Sequence, residues 1–215
     1  MPMTLASALS SSLPAGLDAA ARARSVDVRV ATFPDDEEIV QDLLLEYEMA
    51  LLRHGVTMPR LGAELTSLPG PYAPPYGAVY VARVDGTPLG CAAVTAIAAD
   101  GGPASPREIR RLYVRDGAHA ADVLGALLAR IAALAELDGC AAVRCAVFPD
   151  LDAPHATFAR HGFTVCGMDG PPPDGMRVPP RLRIATLERP CAPARAAQWR
   201  ALLRRVMMRG EPGRT

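Results

Sequence analysis

The 215-residue sequence contains no lysine, and all 23 of its basic residues are arginine. That absence rules out Schiff-base chemistry at a lysine, attachment of pyridoxal phosphate and a phosphate loop of the Walker type. Net charge is also missing, since 23 acidic residues balance the basic ones. A broad polyanion-binding surface is not expected, so nucleic acid is not an expected partner. The five cysteines (Cys91, Cys140, Cys145, Cys166, Cys191) include no C-x-x-C pair. Their odd number suits a reducing compartment, and a cytoplasmic setting is expected. Cys91, Cys145 and Cys166 lie in apolar runs, where a small buried thiol is the simpler reading. The histidines (His54, His119, His155, His161) share no ligand spacing with the cysteines, so no metal is expected. No run of 18 apolar residues exists, which excludes a spanning helix, and a membrane is not an expected partner. Aromatics make up only 5% of the chain.

What is present is a globular chain with much loop: half the residues are hydrophobic, largely alanine, beside 18 glycines and 21 prolines. The length suits one domain. Residues 1–25 lack the basic start and apolar centre of a signal peptide and read as a disordered extension. Residues 26–188 read as the domain. "VDVRVAT" alternates as a strand. "PDDEEIVQDLLLEYEMALLRHG" opens on acids and closes on Arg53, His54 and Gly55, the charge order a helix dipole favours. Ile39, Leu43, Leu44, Tyr47, Ala50 and Leu51 recur there at helical spacing. "AVYVARV" and "PLGCAAVTAIA" flank "DGTP" as a hairpin. "REIRRLYVR" alternates next, with Glu108, Arg110, Leu112 and Val114 on one face and Ile109, Arg111 and Tyr113 on the other. A helix over about 119–138, a strand at "AAVRCAVF", a helix at "APHATFARHG" and strands at "FTVCG" and "RLRIATL" follow. Residues 189–215 form an amphipathic segment, Trp199, Leu202, Leu203, Val206 and Met207 against arginines. It would pack on the domain, join two copies as a homodimer, or lie on a membrane surface.

Four ordered segments, "ELTSLPGPYAPPYGAVYVA", "PLGCAAV", "EIRRLYVR" and "ATFARHGF", resemble the GNAT superfamily of acyl-CoA-dependent N-acetyltransferases. The resemblance implies an α/β, three-layer GNAT-like fold: a central mixed, splayed β-sheet flanked by helices, whose fourth and fifth strands part to admit pantetheine. It implies acetyl-CoA or another acyl-CoA as cofactor, held by Leu112, Tyr113 and Val114 on the fourth strand and by His119, Ala120, Ala121, Asp122, Val123 and Leu124 in the turn and helix beyond. A helix start offers unpaired amides and a positive dipole end to a pyrophosphate.

This turn departs from the family's glycine-rich pattern. His119 stands where a basic residue or glutamine is usual, Ala120 and Asp122 where glycines are usual, and Leu124 where glycine or alanine is common. A carboxylate about 5 Å from a phosphate costs roughly 3 kcal/mol at an effective dielectric of about 20. Asp116 as N-cap and Asp122 in the first turn would neutralise the helix end from within, so weak acyl-CoA binding is expected.

On the acceptor side the resemblance makes Glu108 the general base, although a glutamate there also serves as a partner for Arg107, Arg110 or Arg111. The usual tyrosine acid is replaced by Phe158. Tyr47, Glu64, Tyr72 and Arg110 are candidate contacts for a small amine or amino-acid-like substrate, with Arg110 able to hold a carboxylate bidentately. Tyr72 and Tyr76 either wall the site or sit in a proline-stiffened surface loop, and Glu64 either attracts the amine or caps a short helix. Thr95 stands where a subgroup of that family that shares the first and third segments carries arginine. Two functions remain open: a small-amine N-acyltransferase, or a GNAT-fold protein that has given up acyl-CoA and binds a partner or does other chemistry in the same cleft.

Overall fold

The computed structural model describes residues 25–75, 77–97, 105–151 and 155–192. Tyr76, the 1–24 extension and residues 193–215 lie outside them. Strand β1 (Val26–Val30) leads into helix α1 (Glu37–Leu52) and the short helix α2 (Leu61–Leu65), then the hairpin of β2 (Ala78–Val84) and β3 (Thr87–Ala96). Strand β4 (Arg107–Val114) precedes helix α3 (Ala120–Leu137), β5 (Ala142–Val147), helix α4 (His155–Arg160), β6 (Thr164–Met168) and β7 (Ala185–Pro190).

The strands form one seven-stranded sheet in the order β1-β2-β3-β4-β5-β7-β6. Only the β4–β5 pair is parallel. That pair is joined by α3, as a parallel crossover requires. Two apolar clusters cover the faces. On one, Val123, Leu127, Leu128 and Ile131 of α3 pack on Tyr80, Ala92, Val94 and Val143. On the other, Val40, Leu43, Leu44 and Leu51 of α1 pack on Val79, Val81, Cys91 and Ala93. Gly90 lets α3 lie close on β3, because a Cβ there would meet the Tyr113 carbonyl oxygen at 2.8 Å and Val123 Cγ1 at 3.0 Å.

Strand β4 corrects the simple alternation read from its sequence. Ala93 pairs with Arg111 but Val94 pairs with Ile109, which leaves Arg110 as the extra residue of a β-bulge. The extra residue reverses the phase. Ile109, Leu112 and Val114 therefore pack on the α3 side together, while Tyr113 packs on the α1 side.

A second feature has no counterpart in the sequence pattern. The proline-rich loop between β6 and β7 crosses to the α1 layer, where Met176 is buried in the α1-side cluster. Arg177 and Thr57 exchange backbone hydrogen bonds of 3.0 and 3.1 Å, and the Arg181 guanidinium donates to the His54 carbonyl at 2.7 Å. Among the described residues, no helix is long and apolar enough to cross a membrane.

Candidate active site

The β4–β5 ladder stops early. Arg107, Glu108 and Ile109 pair with Val143, Arg144 and Cys145, and beyond Ile109 the strands part. The bulge at Arg110 falls at the point of separation. The gap is a cleft of about 730 Å³ that runs from the end of α1 to the start of α3.

Of the residues expected at the cofactor end, Leu112, Tyr113, Val114, Ala120, Ala121 and Leu124 line this cleft. Val123 is fully buried in the core, and neither His119 nor Asp122 is part of the lining. The expected self-capping is corrected: α3 begins with His119 as its N-cap residue and has no side-chain cap hydrogen bond. Asp116 sits too early, because Gly117 at φ 148 turns the chain before the helix starts. The Ala120 amide is satisfied by the Gly117 carbonyl at 3.1 Å and that of Val123 by His119 at 2.9 Å. The amides of Ala121 and Asp122 find no acceptor among the described residues. Asp116, a residue the sequence pattern placed as a cap, lines the cleft instead, as does Asp150.

At the acceptor end Tyr47 and Arg110 line the cleft, and Tyr47 lies against Tyr113 with ring centroids 6.0 Å apart. Glu108 accepts from Arg110 Nε at 3.1 Å and is not itself part of the lining. Glu64 and Tyr72 are brought together, but away from the cleft. The Glu64 carboxylate accepts from Arg111 Nε at 3.1 Å, from Arg111 Nη2 at 2.7 Å and from the Tyr72 hydroxyl at 2.6 Å. Arg111 and Tyr72 are almost wholly buried, 2% and 1% exposed. The geometry thus ties Glu64 and Tyr72 into the protein's own structure, and neither stands on the cleft wall. Thr95 donates to the Pro71 carbonyl at 3.3 Å, which ties the same turn to β3.

The lining also includes Arg53, His54, Phe148, Asp150 and Leu151. Sequence reading missed them as site residues, because only the fold brings the end of α1 beside the end of β5. Phe158 lines the cleft too, stacked edge-to-face on Phe163 at 5.6 Å, and has no proton to offer. Cys145, at the fork, is pushed up to about 12 by burial and then by the Glu108 charge. It is a thiol at neutral pH and no nucleophile. Glu46 of α1 receives Arg115 and the Tyr113 hydroxyl, the latter at 3.3 Å, and the Arg115 hydrogen bond holds its carboxyl below the ordinary carboxylate range. Among the described residues no group of histidine, cysteine, aspartate and glutamate could hold a metal ion.

The fold is similar to that of a set of solved structures. An acetyltransferase of the GNAT family from Staphylococcus aureus Mu50 is similar to it with a TM-score of 0.59 and 9% identity, over 78% of this chain and 100% of that one. The chain has the GNAT fold. The PaiA N-acetyltransferase from Thermoplasma acidophilum, solved in complex with coenzyme A, is similar over 77% of this chain and 99% of its own, with a TM-score of 0.57 and 16% identity. An aminoglycoside 6'-acetyltransferase type Ii is similar over 78% and 98%, with a TM-score of 0.56 and 12% identity. No protein-family model matches the sequence, and no curated protein does. Within the GNAT fold, the parted fourth and fifth strands expected from the four segments are present, at Ile109 and Cys145.

Proposed function

We propose that the chain is an acyl-CoA-dependent N-acyltransferase that acts on a small amine or amino-acid-like acceptor and holds its acyl-CoA weakly. The observation that carries this reading is the cleft of about 730 Å³ at the β4–β5 fork. The residues there fit the cofactor in shape. The main chain of Leu112–Val114 is not paired with β5, so its amides and carbonyls suit a pantetheine arm. The amide of Ala121, which lines the cleft, suits a pyrophosphate. Charge is where the fit is poor. Arg115, the basic residue closest in sequence, is held by Glu46, and Asp116 faces the cleft.

When bound, the cofactor supplies a thioester carbonyl to the acceptor nitrogen: a C–N bond forms, the C–S bond breaks and the sulfur leaves as thiolate. The chain's own part is to bind the acceptor and take the ammonium proton. Glu108, hydrogen-bonded to Arg110 at the fork, is the base in this reading and reaches the amine through water, since it is not part of the lining. Arg110 and Arg53 attract an acceptor carboxylate. No proton comes to the thiolate from α4, where Phe158 stands. The cysteines, all free thiols, agree with a cytoplasmic setting.

Asp116 and Phe158 also support a second reading, in which the GNAT-fold cleft has given up acyl-CoA and serves a binding partner or other chemistry. Calorimetric titration with acetyl-CoA separates the two. Weak but saturable heat, with amine acetylation that falls on Glu108→Gln, supports the transferase. No heat at millimolar acetyl-CoA from a folded protein supports the second reading. A micromolar dissociation constant contradicts the weak-binding part of both.

A further inference from the structure

Helix α1 presents a second face that its own packing does not use. Its outward side runs Glu38, Asp42, Leu45, Met49 and Leu52, all exposed, at alternating spacings of four and three. That is the seam spacing of a helix that meets another helix. Leu45, Met49 and Leu52 are 46%, 58% and 42% exposed, a contiguous apolar stripe rather than scattered residues. The stripe is apolar in its last two turns and acidic in its first two, where Asp35, Glu38 and Asp42 stand. No basic residue occurs from Asp35 to Leu52.

The sequence beyond the described residues carries the complement. Trp199, Leu202 and Val206 repeat at spacings of three and four, with Leu203 and Met207 beside them. Arg204, Arg205 and Arg209 weight the later part, and from 193 to 215 six arginines face a single acid, Glu211. Antiparallel docking aligns both patterns at once. Trp199 and Leu202 would meet Leu52 and Met49, while the arginines would reach Asp42 and Glu38.

We infer that residues 193–210 of one copy dock, running antiparallel to α1, on the Leu45–Met49–Leu52 stripe of a second copy. Reach favours the second copy over the same chain. The Cys191 amide bonds the Ala141 carbonyl at 3.0 Å, and Cys191 packs on the α3-side cluster, on the sheet face opposite α1. From Ala192 to Trp199 the chain spans at most about 25 Å fully extended. A path to the stripe has to round the sheet and clear the thickness of α1 itself, about 10–12 Å. A two-fold dimer that repeats the contact removes that constraint. The docking is independent of what the cleft binds.

Light scattering on the full-length protein is expected to give twice the 22.7 kDa of one chain, and the Met49→Asp and Trp199→Asp variants to give the mass of one. Arg204→Glu with Arg205→Glu is expected to weaken the dimer by about tenfold or more, and adding Glu38→Arg and Asp42→Arg to restore it. A monomeric wild type at all concentrations, or a dimer untouched by either aspartate substitution, overturns the inference. Failure of the charge exchange to restore a dimer that Trp199→Asp abolishes overturns the α1 seat.

Discussion

Arg111 of β4 and the start of α3, which follows β4 in the chain, are opposite electrostatic environments. At Arg111 a guanidinium is buried, and its fork is closed by the Glu64 carboxylate, which also takes the Tyr72 hydroxyl. Further along, the start of α3 leaves the amides of Ala121 and Asp122 without an acceptor among the described residues and has no side-chain cap hydrogen bond. One region satisfies itself, and the other depends on something external. Buried polar groups that find partners within the chain fix its shape, whereas helix-end amides that face a cleft are completed by water or a ligand. The difference assigns rigidity to the wall behind the acceptor end and ligand contact to the α3 end.

The most disruptive way to break this comparison is to open the self-satisfied side. Glu64→Ala leaves Arg111 charged, buried and without its carboxylate, a change that costs about 3–5 kcal/mol. For a chain of this size the melting temperature should fall by roughly 6–20 °C. Calorimetric melting checks it. A loss of activity or binding with unchanged melting would instead make Glu64 a substrate contact.

On the other side, Asp116→Asn removes a carboxylate residue of the cleft lining next to the start of α3 and should tighten acetyl-CoA binding by up to about a hundredfold. Asp122→Gly should do less, because Asp122 is exposed and outside the lining. Titration of the two variants side by side decides which carboxylate opposes the anion, and an equal or larger gain for Asp122→Gly would reverse the assignment. A smaller effect is expected at Tyr72→Phe. It deletes one hydrogen bond to a charged acceptor that keeps its arginine, and should cost about 1.5–3 kcal/mol in urea unfolding with little change in ligand affinity.

The order of strands and helices was legible in the sequence, because proline, glycine and acidic residues punctuate it and the apolar spacing changes at each boundary. Three features of the site were not. The bulge at Arg110 depends on how β3 is registered against β4, a long-range pairing no local pattern encodes. Glu64 was visible as a carboxylate near the acceptor loop, but its partner stands 47 residues away and on another element. Asp116 was read as a cap because aspartate ahead of an apolar helical run usually is one. Gly117 breaks that inference by turning the chain early, so the helix starts at Ala120 and the carboxylate is left beside the cleft.

The smallest expected effect concerns the contact that joins the two environments. Glu46 of α1 holds Arg115 just past the end of β4, and the Tyr113 hydroxyl donates to the same carboxylate. The Arg115 hydrogen bond, opposed in part by desolvation, keeps the carboxyl below its ordinary value of 4.5. A carboxyl depressed by folding adds stability above its unfolded value, and that stability is lost as pH falls through the folded value. Glu46→Gln should therefore destabilise the protein at pH 7 by less than about 1 kcal/mol, since the pair is largely solvent-screened. The difference from wild type should shrink as the solution is acidified below 4.5, read as urea midpoints at each pH. If the difference persists undiminished in acid, Glu46 acts through packing, and the link between α1 and the α3 turn is steric and not electrostatic.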